Sequence, residues 1–184
     1  MTLMNFFVRA TIFSFLFFNS LTAFSQTRNS PQQHELAPFV GIYAPDRFET
    51  SLAFGVRYYY RIDRVYTAGA VLGFANAKQD YLRKTSNFVP AAGSERVLFN
   101  AVRLYRTLLI RTPVQPYLMT QLGLTRLYDE NNLTFGFGLG TRVLYSKNMN
   151  FRYEMILHFF KSGVDNAAWT NKNIEIAFAF GFFL

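Results

Sequence analysis

The feature of this sequence that most constrains its fold is a strict alternation of bulky apolar side chains with small or polar ones. From Leu133 to Tyr145 nearly every second residue is large and apolar, and the residues between them include Thr134, Arg142 and three glycines. Successive side chains of a β-strand point to opposite faces of a sheet. The segment therefore predicts a long strand with one apolar face and one face of small and polar groups.

The same alternation recurs along the chain and predicts eight strands. Their residue ranges are 36–44, 51–61, 64–77, 96–111, 116–127, 133–145, 149–161 and 172–184. The fourth strand is irregular, because Asn100 and Val102 share one face while Ala101 and Arg103 share the other. We expect a β-bulge there that shifts the parity of the strand.

The joins between these strands differ at the two ends of the sheet. Joins two, four and six are short, whereas the other set includes the long joins at residues 78–95 and 162–171. Tight turns at one end, longer loops at the other and an even strand count are typical of a barrel in a bacterial outer membrane. We therefore predict an all-β fold, an eight-stranded antiparallel up-and-down transmembrane β-barrel, over residues 36–184.

Composition and volume predict which face of the barrel points outward. Aromatic residues make up 18% of the chain, charged residues 16%, and cysteine is absent, which excludes disordered chains and disulfide scaffolds. The interior of an eight-stranded barrel is only just wide enough for side chains, so the apolar stripe would overpack it. We expect that stripe to face lipid, with every backbone group paired by closure of the barrel.

The N-terminus has the pattern of a secretory signal peptide. Arg9 precedes a short apolar run, and Ala23 and Ser25 are small residues at the positions that a signal peptidase inspects. We expect a signal peptide at residues 1–25 and a short periplasmic segment at residues 26–35. The exported chain would keep a net charge of +7, one less than the +8 of the full sequence. Export makes nucleic acid an improbable partner for that charge.

Segments at both ends of the predicted barrel resemble a known family. They are HELAPFVG at residues 34–41 with DRF at 46–48, and NFRYE at 150–154 with TNKNIE at 170–175. These stretches are similar to the small eight-stranded bacterial outer-membrane β-barrels, in particular to outer-membrane β-barrel domain proteins. The resemblance implies insertion by the barrel-assembly machinery, which reads a C-terminal aromatic residue. Here Leu184 follows Phe183, and Ala179 stands where glycine is common.

Six titratable side chains fall on the predicted interior face of the barrel. They are Arg57, Arg142, Arg152, Glu154, His158 and Glu175. Strand counting places Arg142 near Glu154, and His158 near Glu175. Because buried charges need partners, we expect an ion-pair and hydrogen-bond network that plugs the barrel. A proton-handling or gating site is the alternative, since histidine titrates near physiological pH.

Basic residues around the predicted outer loops indicate a partner. They are Lys78, Arg83, Lys84, Arg96, Lys161 and Lys172. Outer-leaflet lipopolysaccharide is rich in phosphate, which Arg binds through paired hydrogen bonds and Lys as a point charge. We expect these residues to contact lipopolysaccharide, with ordinary solvated charge as the alternative.

An enzymatic alternative comes from lipid A deacylases, which are also eight-stranded outer-membrane barrels and resemble this chain near its C-terminus. In them a histidine is followed two residues later by the nucleophilic serine. Here Phe160 has that position, and Ser162 would lie about 13 Å along the strand from His158. That separation is too long for a nucleophile and its base.

The function that the sequence favours is therefore a non-catalytic integral outer-membrane barrel. Its role would be to support the envelope or to bind lipopolysaccharide or a surface partner, with a lipid A hydrolase or a narrow gated pore as alternatives. Two histidines without cysteine offer no metal-ligand spacing, and no cofactor motif is present. The sequence does not indicate an oligomeric state.

Overall fold

The computed structural model describes residues 33–46, 49–78, 94–127, 130–162 and 169–184. The eight strands are β1 His34–Ala44, β2 Ser51–Arg61, β3 Tyr66–Lys78, β4 Ser94–Thr107, β5 Val114–Leu127, β6 Glu130–Leu144, β7 Met149–Ser162 and β8 Trp169–Phe183. Each strand pairs antiparallel with the next, and β8 pairs with β1, so the sheet closes into a barrel. Among the described residues, no helix is long and apolar enough to cross a membrane.

The register of the strands sets the shear of the barrel. A path from His34 through the paired residues Tyr60, Ala68, Leu104, Thr120, Phe137, Leu157 and Ile174 returns to β1 at Ala44. The shear is therefore ten residues. With a rise of about 3.3 Å per residue and about 4.8 Å between strands, the strands tilt by about 40° from the barrel axis.

The structure has the two strand faces that the sequence predicts, and the apolar stripe points outward, away from the lumen. On β6, Phe135, Phe137 and Leu139 are 51%, 46% and 50% exposed, whereas Thr134 and Gly136, on the opposite face, are buried in the lumen. A sheet closed in this way pairs its backbone groups and presents apolar side chains to hydrocarbon. The fold prediction is confirmed, including the outward direction of the apolar stripe.

Register and shear also give the height of each outward residue, measured along the barrel axis. A tilt of about 40° leaves about 2.5 Å of height per residue along a strand and adds about 3 Å per strand along a hydrogen-bonded row. Arg106 and Arg96 are exposed near opposite ends of β4, and on this scale their heights differ by about 25 Å, the height of the apolar band in such barrels. We call their levels the periplasmic and outer boundaries, with both termini on the periplasmic side.

Strand β4 corrects two predictions. Its pairing with β3 is continuous from Tyr66↔Arg106 to Lys78↔Ser94, and its pairing with β5 is also continuous. The prediction of a β-bulge in this strand is therefore wrong. The mixed polarity has a simpler cause, because Arg103 lies in the lumen and Asn100 faces outward in a regular strand. The strand also ends at Thr107 rather than at residue 111, since the chain turns where the Leu108 amide donates to the Pro116 carbonyl.

Glycines on the lumen face of β6 make room for large side chains from β5. A Cβ added at Gly136 would come within 2.7 Å of the Gln121 amide, and one at Gly140 would come within 2.7 Å of the Tyr117 ring. The alternating glycines of the sequence are therefore packing positions, which allow the interior to hold bulky polar groups.

Candidate functional site

Four fully buried charges form the centre of the lumen, and we call them the central cluster: Arg57, Arg103, Glu154 and Glu175. Arg57 bridges the two carboxylates, with Nη1 2.9 Å from Glu154 Oε2 and Nη2 2.5 Å from Glu175 Oε1. Arg103 does the same from β4, with its Nη atoms 3.2 Å from Glu154 and 3.8 Å from Glu175. Two positive and two negative charges cancel inside the cluster, as a low-dielectric interior requires.

His158 joins the central cluster through a ring of hydrogen bonds. Gln121 accepts from Arg103 Nε at 2.9 Å through Oε1, so its amide nitrogen faces His158 Nδ1 at 2.8 Å and donates to it. His158 Nδ1 is therefore the acceptor, and Nε2 carries the proton that it donates to Glu175 Oε2 at 2.9 Å. The chain of contacts fixes the tautomer and the orientation of the imidazole.

Two tyrosines complete the shell around Glu154. The Tyr117 hydroxyl donates to Oε1 at 2.6 Å, and the Tyr59 hydroxyl donates to the same oxygen at 3.1 Å. Since Oε2 contacts both arginines, each oxygen of Glu154 has two partners. A carboxylate with this many donors is held in one position by strands β2, β4 and β5 at once.

A second set of charges lies towards the periplasmic end, and we call it the mouth group: Glu35, Arg142 and Arg152. Arg152 makes a bidentate pair with Glu35, with Nε and Nη2 each 2.7 Å from a carboxylate oxygen. Its guanidinium also lies 3.8 Å from the centre of the Tyr59 ring. Arg142 donates through Nε and Nη2 to Oε1 of the Gln115 side chain, so its described partner is an amide rather than an acid.

Aromatic rings fill the lumen beside the central cluster on its outer side. Tyr43 and Phe99 stack with centroids 5.7 Å apart, and the His158 ring meets the two at 5.7 and 5.6 Å. Asn173 donates to the Tyr43 hydroxyl at 2.7 Å. These rings lie between the ionic centre and the outer ends of the strands.

The structure places the six predicted interior residues in the lumen, and the register makes both predicted pairs diagonal neighbours. His158, opposite Asn173, contacts Glu175, whereas Arg142, opposite Arg152 and diagonal to Glu154, bonds the Gln115 side chain instead. The partners of Glu154 come from more distant strands, because the barrel brings β2 and β4 across the lumen. Counting along adjacent strands cannot find such contacts.

Arg103 and Glu35 were missed by the sequence analysis. Arg103 shares its face with buried Val97, Phe99 and Tyr105, and that alternation was the available signal. The expected bulge concealed it. Glu35 was assigned to the periplasmic segment at residues 26–35, but β1 begins at His34, because Glu35 turns inward to meet Arg152.

The predicted lipopolysaccharide-binding cations divide into two groups. Arg96, Lys161 and Lys172 are exposed on the outward face near the outer ends of β4, β7 and β8. Lys78 ends β3, and Arg83 and Lys84 lie outside the described residues. By register and shear, Arg96, Lys161 and Lys172 share one height with the exposed Arg126 of β5 to within about 3 Å. We call these four residues the outer cation ring.

The environment of His158 does not favour the deacylase alternative. His158 is 1% exposed, faces the lumen and already uses both ring nitrogens. Phe160, at the position due to carry a serine, is also buried in the lumen. Within the described part of the chain, no group of three or more His, Cys, Asp or Glu residues is arranged to hold a metal ion.

Solved structures with the same architecture cover most of the chain. Neisserial surface protein A superposes with a TM-score of 0.62 at 11% identity, over 85% of this chain and 100% of that one. The outer membrane protein OprG from Pseudomonas aeruginosa superposes with a TM-score of 0.53 at 9% identity, over 83% and 97%. The chain has the fold of the small eight-stranded outer-membrane β-barrels.

At these identities the similarity of the small barrels extends to the fold alone. No family model matches the chain, and no curated protein matches it. The transmembrane architecture is thus shared, while the charges inside the lumen and around the rim must be interpreted from this chain's own residues.

Proposed function

We propose that this barrel is a non-catalytic, non-conducting protein of the outer membrane that binds lipopolysaccharide through its outer cation ring. The observation that carries the proposal is the common height of Arg96, Arg126, Lys161 and Lys172, all exposed at the outer boundary. Cations at the level of the lipid headgroups attract the phosphates found there. The leader would export the chain, and the barrel-assembly machinery would insert it.

The cations of the ring are placed as pairs on neighbouring strands. Lys161 lies opposite Thr170 and Lys172 opposite Phe159, so the two lysines are diagonal neighbours on one face. Arg126 lies opposite Leu98, which makes Arg96 its diagonal neighbour in the same way. Diagonal positions are about 7–8 Å apart, a distance at which two like charges repel and a phosphate can contact both. The lysine pair of β7 and β8 therefore favours an anionic ligand over scattered solvated charge.

The filled lumen supports a role outside the barrel rather than a pore. The side chains of Arg57, Arg103, Glu154 and Glu175 are 0% exposed and bonded across the lumen, and the rings of Tyr43 and Phe99 lie on their outer side. An eight-stranded interior is filled by side chains of this size. We expect planar-bilayer recordings of the purified protein to show no steady conductance, and stepwise open channels would contradict the non-conducting part of the proposal.

The lysine pair provides the test of lipopolysaccharide binding. We expect K161Q/K172Q to weaken binding of purified lipopolysaccharide by roughly 10- to 30-fold at low salt, since each surface cation contributes about 1 kcal/mol. The matched control is R106Q, which removes an outward cation at the periplasmic boundary and should leave the affinity unchanged. Equal loss in both variants, or no loss in the double variant, would reject the outer cation ring as the binding site.

A further inference from the structure

One amide faces the hydrocarbon layer. Asn100 is exposed on the outward face of β4, four residues from Arg96 and six from Arg106. It therefore lies about 10 Å below the outer boundary and about 15 Å above the periplasmic one, close to the middle of the apolar band. Apart from Asn76, which pairs with Arg96 at the outer boundary, Asn100 is the one described outward side chain between the two boundaries that is an amide or carries a charge.

The amide of Asn100 has no partner in the barrel. No hydrogen bond joins its side chain to another described residue, and its neighbours across the strands are Leu72 and Leu124. In lipid an unpaired amide loses the hydrogen bonds that water would supply, at a cost of several kcal/mol. A hydrogen-bonding partner from outside the barrel would remove that cost.

The surface on the β5 side of Asn100 is aliphatic, whereas on the β3 side the exposed Phe74 is its diagonal neighbour. Leu98, Val102 and Leu104 share its face on β4, and the outward residues of β5 include Leu118, Leu122 and Leu124. In contrast, β6 and β8 present Phe135, Phe137, Phe178, Phe180 and Phe182 to the lipid. Among the described residues, the β4–β5 face therefore carries no outward aromatic ring that would hold a second backbone at a distance.

We propose that the β4–β5 face binds a second copy of this chain, with the two Asn100 amides paired across a two-fold axis. A primary amide is self-complementary, because its carbonyl accepts and its NH₂ donates, so two copies form two reciprocal hydrogen bonds. Rotation about a two-fold axis along the membrane normal leaves every residue at the same depth in the membrane. A residue next to that axis therefore contacts the same residue of the other copy. A partner with the same amide at the same depth is therefore supplied by the chain itself.

The tilt of β4 keeps the boundary arginines apart in such a dimer. Each residue along the strand shifts sideways by about 2 Å, and the two copies lean in opposite directions. With Asn100 on the axis, the Arg96 residues of the two copies lie about 17 Å apart sideways, and the Arg106 residues lie farther apart still. The contact thus joins the amides without forcing like charges together.

Single-cysteine cross-linking tests the dimer directly, because the chain has no cysteine of its own. N100C, placed in lipid vesicles at low protein density and oxidised, should form a disulfide-linked dimer. The control is I174C, on the opposite side of the barrel at a height within about 3 Å and 40% exposed. Equal yields for the two variants, a monomer for both, or a link from N100C to a different protein in native outer membranes would overturn the proposal.

A second variant removes the amide without adding a reactive group. N100L should fold, since leucine suits a lipid-facing position, and heat-modifiable migration on a gel checks this. Loss of two amide hydrogen bonds should raise the dimer dissociation constant by about tenfold, measured by energy transfer between labelled barrels in vesicles. V102L, which changes an apolar neighbour, should leave it within about twofold. An N100L barrel that associates as strongly as the wild type would contradict the amide pair.

Discussion

The central cluster and the mouth group differ in how their buried charges are neutralised. In the central cluster two arginines meet two glutamates, and all four side chains are 0% exposed. In the mouth group two arginines share one glutamate, and Arg142 is bonded to an amide while 7% exposed at the periplasmic end. Charge is balanced among the fully buried side chains, and within the described lumen the excess cation lies near the mouth.

The largest effect should come from removing one partner of the central cluster. R57M keeps most of the side-chain volume but leaves Glu154 and Glu175 with too little positive charge. We expect the free energy of unfolding to fall by about 3–5 kcal/mol, the usual cost of an uncompensated buried charge. Denaturant titration in lipid vesicles, followed by gel mobility, measures it.

The double variant R57M/E175Q is the control for that loss. It leaves Arg103 opposite Glu154, so charge balance returns and we expect less destabilisation than the sum of the two single variants. Simple addition of the two losses would show that charge balance does not govern the central cluster.

An intermediate effect is expected at the bidentate pair of the mouth group. E35Q keeps the shape but removes the charge that Arg152 contacts through two hydrogen bonds at 2.7 Å. Hydrogen bonds to charged groups contribute about 1.5–3 kcal/mol, and we expect a loss near 2 kcal/mol because Arg152 also lies over the Tyr59 ring. The same vesicle titration applies, and a loss as large as that of R57M would remove the distinction between the two groups.

The smallest effect should come from the excess cation. R142M removes hydrogen bonds to Gln115 but no ion pair, and it relieves repulsion from Arg152, which lies opposite in the register. We expect a change of about 1 kcal/mol or less in the free energy of unfolding. A loss of several kcal/mol would mean that Arg142 has an ionic role that its contacts do not indicate.

Most of the fold could be predicted because one side of each strand is apolar along its length. Range 51–61 was predicted as the structure has it, and the other strands differ at their ends by a few residues. Alternation is a local property, and so is the difference between short and long joins. A closed sheet of eight antiparallel strands follows from those two signals together.

The interior contacts could not be predicted in the same way. His158 and Glu175 lie on adjacent strands and were found, whereas Arg57 reaches Glu154 across the lumen from β2 to β7. Such contacts depend on the shear, the ten-residue offset at which β8 pairs with β1 to close the barrel. No single strand's sequence determines that offset. The heights of Arg96 and Lys161 depend on the same quantity, so the outer cation ring could be recognised only in the closed barrel.

The central claim is that the apolar side of every strand contacts lipid while the ionic side is enclosed. It is tested most directly by a spin-label scan of single-cysteine variants over residues 173–180 of β8, measured in vesicles for collisions with lipid-dissolved oxygen. Oxygen accessibility should alternate with period two, high at Ile174, Phe178 and Phe180 and low at Asn173 and Glu175. The opposite phase, or uniform contact with a water-soluble relaxing agent, would contradict the account.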